Sequence, residues 1–129
     1  MAVIQTRDTR SFEAGEDLSS AQFKFVTLEA DGQVDLADAE GENCIGVLLN
    51  NPDAAGKAAT VAISGKVMVE AGGTIAAGDE ICTNAAGEAI DANDATATYV
   101  VMGYALEDGA DGQVIAIELI QGGNAGDNT

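Results

Sequence analysis

Short apolar runs separated by turn-forming residues dominate the sequence from Gln22 onward and limit the folds that it can adopt. The runs are rich in Val, Ile, Thr and Phe, and Gly, Asn or Asp interrupts them about every ten residues. No segment has the spacing of apolar residues that an amphipathic helix needs. The pattern predicts an all-β fold, a small barrel or sandwich of about eight short strands with an extended N-terminal arm.

The runs also give approximate strand positions. The predicted strands are QFKFVTLE (22–29), GQVDLA (32–37), CIGVLLN (44–50), AATVAIS (58–64), KVMVEA (66–71), DEICTN (79–84), TATYVVMGYAL (96–106) and QVIAIELIQ (113–121). In the last run Ile115, Ile117 and Leu119 share one face, and the other face is also mostly apolar. We therefore expect this strand to be central in its sheet and covered on both sides.

The two ends of the chain lack this pattern. Residues 1–20 show no periodicity beyond a short extended piece at 2–6, and they predict an extended N-terminal arm. Residues 122–129, GGNAGDNT, offer little to bury and predict a flexible tail. The expected organisation is an arm (1–20), one β-barrel or sandwich domain (21–121) and a tail (122–129).

The charge balance is strongly acidic. The chain has 22 Asp and Glu residues against 5 Lys and Arg residues, for a formal net charge of −17. Such a surface repels phosphate backbones and anionic lipid surfaces, so we expect neither nucleic acid nor membrane as a partner. No apolar run is long enough to span a bilayer, and the N-terminus lacks the apolar centre of a signal peptide, so we expect synthesis in the cytoplasm.

The sequence offers little for catalysis. It contains no His, which removes the commonest general base and metal ligand. Ser64 lies two residues from Lys66, a spacing that an ordinary turn explains better than a nucleophile with its base. The acidic loops 91–96 and 107–112 lack the order of a calcium-binding loop. We therefore expect no enzyme activity, no cofactor and no metal.

The remaining reactive and aromatic residues are few. Cys44 and Cys82 each lie inside an apolar run without a CxxC spacing, so we expect two buried thiols and no disulfide or metal pair. The chain has no Trp, 3 Phe and 2 Tyr, and a core built from smaller side chains favours association with other chains for additional burial. Tyr99 and Tyr104 lie in an apolar run, where we expect them in the core and not in a sugar-binding platform.

Four features of the sequence carry a resemblance to a known family. They are the strand IGVL (45–48), the pattern V-x-x-x-G-x-V-x-V around Gly65, the turn AGDEI (77–81) and the closing segment GYALEDGADGQVIAIEL (103–119). Over residues 22–120 these features resemble the small capsid decoration, or cement, proteins of tailed bacteriophages.

The resemblance implies a function without catalysis. A family member would form a homotrimer, bind the major capsid protein of the mature head at junctions between capsid subunits, and stabilise the head against internal DNA pressure. It would lie on the outer surface of the virion after assembly in the host cytoplasm. The alternatives from other classes are a carbohydrate-binding module and another structural β module of the tail or virion.

On this interpretation the N-terminal arm is the candidate capsid-binding segment. An extended segment can add a strand to an exposed sheet edge of a partner, with backbone hydrogen bonds for affinity and alternate side chains for register. Two arginines make the arm the least acidic part of the chain, which suits an acidic shell surface. The predicted capsid-binding residues are Ala2, Val3, Ile4, Gln5, Thr6, Arg7 and Arg10.

Overall fold

The computed structural model describes the backbone of residues 5–127 and the side chains of residues 8–120. These residues form a nine-stranded sheet and one short 3-10 helix, which confirms the all-β expectation. The strands are β1 (Gln5–Ala14), β2 (Phe25–Leu28), β3 (Gln33–Leu36), β4 (Gly46–Leu48), β5 (Ala58–Glu70), β6 (Glu80–Thr83), β7 (Ala89–Asp91), β8 (Thr98–Ala105) and β9 (Val114–Asp127). The 3-10 helix covers Ala92–Asp94.

The first five strands close into a ring, which we call the first barrel. The order is β1-β3-β2-β4-β5, and β1 pairs with β5 to complete the circle. The β1–β5 pairing is antiparallel and long, running from Gln5 opposite Lys66 to Glu13 opposite Ala58. The β1–β3 pairing is parallel and covers only Glu13 and Ala14.

The other four strands continue the sheet from β5 in the order β9-β8-β6-β7, and we call them the extension. β9 pairs with β5 on one side and with β8 on the other, so the expectation that it is central is confirmed. A single parallel bridge between Ala71 and Ala89 connects β7 back to the chain just after β5. The extension therefore curls back toward β5.

β5 belongs to both halves of the molecule. The sequence predicted two strands separated by a turn at Gly65, whereas the structure has one strand of 13 residues. Gly65 has a φ of 99°, a conformation that favours glycine because it has no Cβ. The strand therefore changes direction at Gly65, pairing with β4 at Val61 and Ala62 and with β9 from Gly65 to Glu70.

The two halves have connected but distinct cores. The core of the first barrel receives side chains from all five of its strands. Its buried members are Ala14, Leu18, Ala21, Val26, Val34, Leu48, Ala59 and Val61. A larger cluster, with Phe25, Val47, Ile81, Met102 and Ile117 among its members, packs residues of the first barrel against the extension. β-Branched and small residues build most of both clusters, and Phe25 is the one aromatic side chain among the buried members.

Both cysteines are free and buried, which confirms the expectation of two buried thiols. Burial raises the pKa of the Cys44 thiol well above its ordinary value and raises the pKa of Cys82 to about 12. Because only the thiolate is an effective nucleophile, we expect iodoacetamide to label neither cysteine in the native protein near pH 8, and both in denaturant. Mass spectrometry of the labelled chain checks this, and rapid labelling of the native protein would contradict it.

The arm and the tail differ from their predictions. Residues 5–14 are not an extended arm but a strand of the first barrel, and the segment Ala2–Ile4 lies outside the described residues. The predicted flexible tail continues β9 as far as Asp127, where residues 124–127 pair with residues 98–101 of β8. In both cases backbone pairing with a neighbouring strand forms the element, although its own sequence lacks an apolar pattern.

Among the described residues, no helix has the length and the apolar character that crossing a membrane would require.

Candidate interaction surfaces

Many of the acidic side chains hold turns. The carboxylates of Glu107 and Asp108 accept hydrogen bonds from the backbone N–H groups of Ala116 and Ala77, at 2.8 and 2.9 Å. The carboxylate of Glu42 accepts hydrogen bonds from two consecutive backbone N–H groups, those of residues 38 and 39. Part of the acidic composition is therefore explained by local structure, because a carboxylate satisfies backbone donors that a turn leaves unpaired.

The acidic loops singled out in the sequence do not assemble a metal site. Asp91, in the loop 91–96, accepts a hydrogen bond from the backbone N–H of Asn93 and so caps the 3-10 helix. In the part of the chain that the structure describes, no group of three or more His, Cys, Asp or Glu residues could hold a metal ion.

Ser64 and Lys66 lie in the middle of β5, opposite Asp8 and Gln5 of β1. The turn expected at this place is absent, and neither residue lines the two cavities described below. The first cavity, of about 500 Å³, is an open depression beside the β1–β3 contact, lined by Ser11, Phe12, Glu13, Asp31, Gly32, Gln33, Gly56 and Ala58. Its lining residues include two acids, Glu13 and Asp31, and no basic residue.

A second cavity forms an acidic hollow on the first barrel, with a volume of about 370 Å³. Its lining residues are Glu16, Thr27, Glu29, Asp35, Leu36, Ala37, Asp38, Glu42 and Ala85. Several of these groups have internal partners: Glu16 accepts a hydrogen bond from the backbone N–H of Leu36, and the Thr27 hydroxyl donates one to Glu29. The sequence did not single out this hollow, because its acids come from separate segments.

Asp35 differs from the hydrogen-bonded acids of this hollow. Its Oδ1 atom is buried and has no hydrogen-bond partner, and it packs against Gly15. Desolvation raises the pKa of Asp35, and the negative charges of Glu16, Glu29 and neighbouring acids raise it further. Because the folded-state pKa is raised, the folded chain holds this proton more tightly than the unfolded chain. The resulting stabilisation is complete below the pKa of the unfolded chain and is lost as the pH rises through the raised pKa.

We therefore expect Asp35→Asn to raise the thermal unfolding midpoint near pH 7. The neutral amide removes the charge that is repelled there, and the gain should shrink as the pH falls through the raised pKa, where wild-type Asp35 becomes protonated. Calorimetry of both proteins across this range measures the difference. Asp38→Asn, an exposed acid of the same hollow, is the control and should give a smaller gain. An equal or lower midpoint for Asp35→Asn at neutral pH would contradict the prediction.

The structure places the predicted capsid-binding residues in two groups. The first, Ala2–Ile4, lies outside the described residues. The second belongs to β1, where Gln5 and Thr6 pair with β5, a register irregularity falls at Arg7, and the exposed side chain of Arg10 forms an ion pair with Asp8. Within residues 5–12, the edge of β1 away from β5 pairs with no described strand, because the β1–β3 contact begins at residue 13. This free edge is a candidate interaction surface.

The outward face of β8 and β9 is another candidate interaction surface. The sequence predicted β9 to be covered on both sides, but Val114 is 41% exposed. On the neighbouring strand Tyr104 is exposed, contrary to its predicted place in the core. Tyr99 is partly buried against a small cluster formed by Cys82, Ile90, Ala92 and Ala95. The apolar character of this face was visible in the sequence, but its exposure depends on which elements cover it.

Comparison with known proteins agrees with the fold described. A family model described as phage cement protein matches residues 4–119. The crystal structure of the head fiber gp8.5 N base in bacteriophage phi29 is similar, with a TM-score of 0.65, 22% sequence identity, and coverage of 87% of this chain and 94% of that chain. At this identity the likeness shows a shared fold. No curated protein matches the chain.

Because the family match spans most of the chain, the chain belongs to the phage cement proteins. Its role is decoration of a phage head, in association with the capsid, and its place is in the virion. Membership of a structural head family points away from catalysis.

Proposed function

We propose that the protein binds the mature phage head as a homotrimer at junctions between subunits of the major capsid protein, and stabilises the head against internal DNA pressure. The observation that carries the proposal is the cement-protein match over residues 4–119. The protein acts without catalysis on the outer surface of the capsid, after assembly in the host cytoplasm.

The stabilisation follows from multivalency and linkage. A trimer that contacts several capsid subunits holds each modest contact at a high effective concentration, so that loss of one contact leaves the others engaged. If head expansion creates the binding site, binding favours the expanded lattice by mass action. Rupture of the expanded shell by internal pressure must then break these contacts together.

The capsid contact is made by the N-terminal residues 2–7 and Arg10. The free edge of β1 supports this part of the proposal, because unpaired backbone groups of an edge strand can hydrogen-bond to a strand of a partner. Addition of a capsid strand at this edge does not require β1 to leave β5. Residues 5–7 and Arg10 therefore contribute affinity from within the first barrel.

Mixing the purified protein with expanded and unexpanded heads tests the proposal. We expect light scattering to give the mass of a trimer, sedimentation to show binding to expanded heads only, and bound heads to retain DNA at higher temperature. Binding that does not distinguish the two head forms, or decorated heads that release DNA as readily as bare heads, would refute it.

A charge reversal tests the predicted contact residue. Arg10→Glu should weaken binding to heads and leave the thermal midpoint nearly unchanged, because exposed ion pairs contribute little to stability. Lys57→Glu is the matched control: Lys57 is also an exposed cation, and it forms an ion pair with Asp53. Equal loss of head binding in the two variants would indicate a general charge effect and reject a specific contact at Arg10.

A further inference from the structure

Part of the apolar outward face of β9 and its neighbours is exposed in the described chain. We define the outer patch as Met68, Tyr104, Leu106 and Val114; Ala116 lies on the same face but is only 2% exposed. Tyr104, Leu106 and Val114 are three of the four large hydrophobic side chains that the described chain exposes, at 37, 45 and 41%. A concentration of exposed apolar side chains at one place on an acidic protein is a typical mark of an interaction surface.

Strand register makes the patch continuous. Met68 of β5 lies opposite Ala116 of β9, and the backbone N–H of Leu106 donates to the carbonyl oxygen of Ala116. Residues 67, 69, 115 and 117 point into the core, so their neighbours along each strand point outward. Met68 and Leu106 therefore flank the buried Ala116 at the same height on the sheet.

The two ends of the patch differ in charge: one pairs a cation with an acid, and the other is acidic. Lys66 and Glu118 face each other at one end, and in the described residues Lys66 forms no ion pair. At the other end the loop 107–111, which follows Leu106, is acidic, and Asp111 is exposed. Acidic residues also border the apolar patch, because Glu118 lies opposite Tyr104 and Glu70 lies opposite Val114.

These features favour a second copy of the chain as the occupant. Two copies with a net charge of −17 repel each other, so they can approach closely only where the local charge is low or complementary. A contact that brings Lys66 of one copy to the acidic loop of the next joins different ends of the patch. Such a heterologous contact forms a closed ring when its rotation is 120°, as in a trimer.

We propose that the outer patch is the surface through which copies of this chain associate, with Lys66 of one copy directed at Asp111 of the next. The inference rests on the proposed homotrimer and assigns its interface to β5, β8 and β9. The free edge of β1, in the other half of the molecule, is then left available for the capsid.

Aspartate substitutions test the apolar part of this interface. Leu106→Asp and Val114→Asp should each weaken self-association about tenfold or more and shift the mass in light scattering toward the monomer. Leu28→Asp is the matched control, because Leu28 is similarly exposed, at 51%, but lies in the first barrel. Circular dichroism establishes that each variant is folded. An oligomer that dissociates in Leu28→Asp and persists in the two patch variants overturns the proposal.

A charge swap tests the interface without altering its apolar centre. Lys66→Glu should weaken self-association, and adding Asp111→Lys to it should restore the oligomer. Failure of the double variant to recover any association overturns the proposed direction of the contact. Sedimentation with heads separates this inference from the proposed function: a trimer that persists in the patch variants and still binds heads overturns the interface alone, and absence of head binding by the wild-type protein overturns the function.

Discussion

Deletion of residues 1–12 is expected to abolish cooperative folding of the protein. The deletion removes most of β1, which pairs with β5 from Gln5 to Glu13 and closes the first barrel. Ala59 and Val61, which are fully buried, would lose the strand beside them. The expected loss exceeds about 5 kcal/mol, which is comparable to the whole stability of an ordinary domain.

Chemical denaturation followed by circular dichroism measures this loss. The matched control is deletion of residues 1–4, which leaves all of β1 in place and should retain a cooperative transition close to that of the full chain. A 1–12 deletion variant that unfolds cooperatively with nearly full stability would contradict the placement of β1 in the barrel, and would support a detached arm.

Replacement of Gly46 by alanine is expected to destabilise the protein by about 3 kcal/mol. Gly46 begins β4, where the next residues pair with β5. A Cβ atom at this position would overlap the carbonyl oxygen of Ala62 and approach the side chain of Val61 to 2.9 Å. Because a backbone carbonyl in the middle of a sheet cannot rotate away, β4 would have to move away from β5.

Gly73→Ala provides the control for this substitution. A Cβ atom at Gly73 would have no heavy atom within 4 Å, and the backbone there does not have the positive φ that disfavours alanine. We expect a change within about 0.5 kcal/mol for Gly73→Ala, measured by urea denaturation of both variants. Similar stability of the two variants would exclude close approach of β4 and β5 at Gly46.

The sequence predicted strand positions well where apolar side chains of the strand are buried in the core. β2, β3, β4, β6 and β8 lie within predicted runs, because their apolar side chains supply the two core clusters. β1 was missed as a barrel strand because QTRDTRSFEA has almost no apolar pattern and is held by backbone pairing with a distant strand. β7 has only three residues, too few for any periodicity.

The candidate surfaces were harder to predict for a related reason. A sequence shows that both faces of β9 are apolar, but it does not show which face another element covers. In the structure Ile115 and Ile117 are buried, whereas Val114 is exposed. Similarly, the acidic hollow brings together residues from separate segments, and the unpartnered Oδ1 of Asp35 lies against Gly15 of another segment. Tertiary arrangement alone determines these features.

The shared strand β5 has a consequence for how the molecule opens. Its 13 residues supply hydrogen bonds to β1, β4 and β9, so neither half can separate without breaking bonds along the same segment. Amide hydrogen exchange along β5 should therefore report one global opening event instead of two independent ones. A particle-bound subunit with this architecture would dissociate from the shell in its folded form, because partial unfolding would give no intermediate of low free energy.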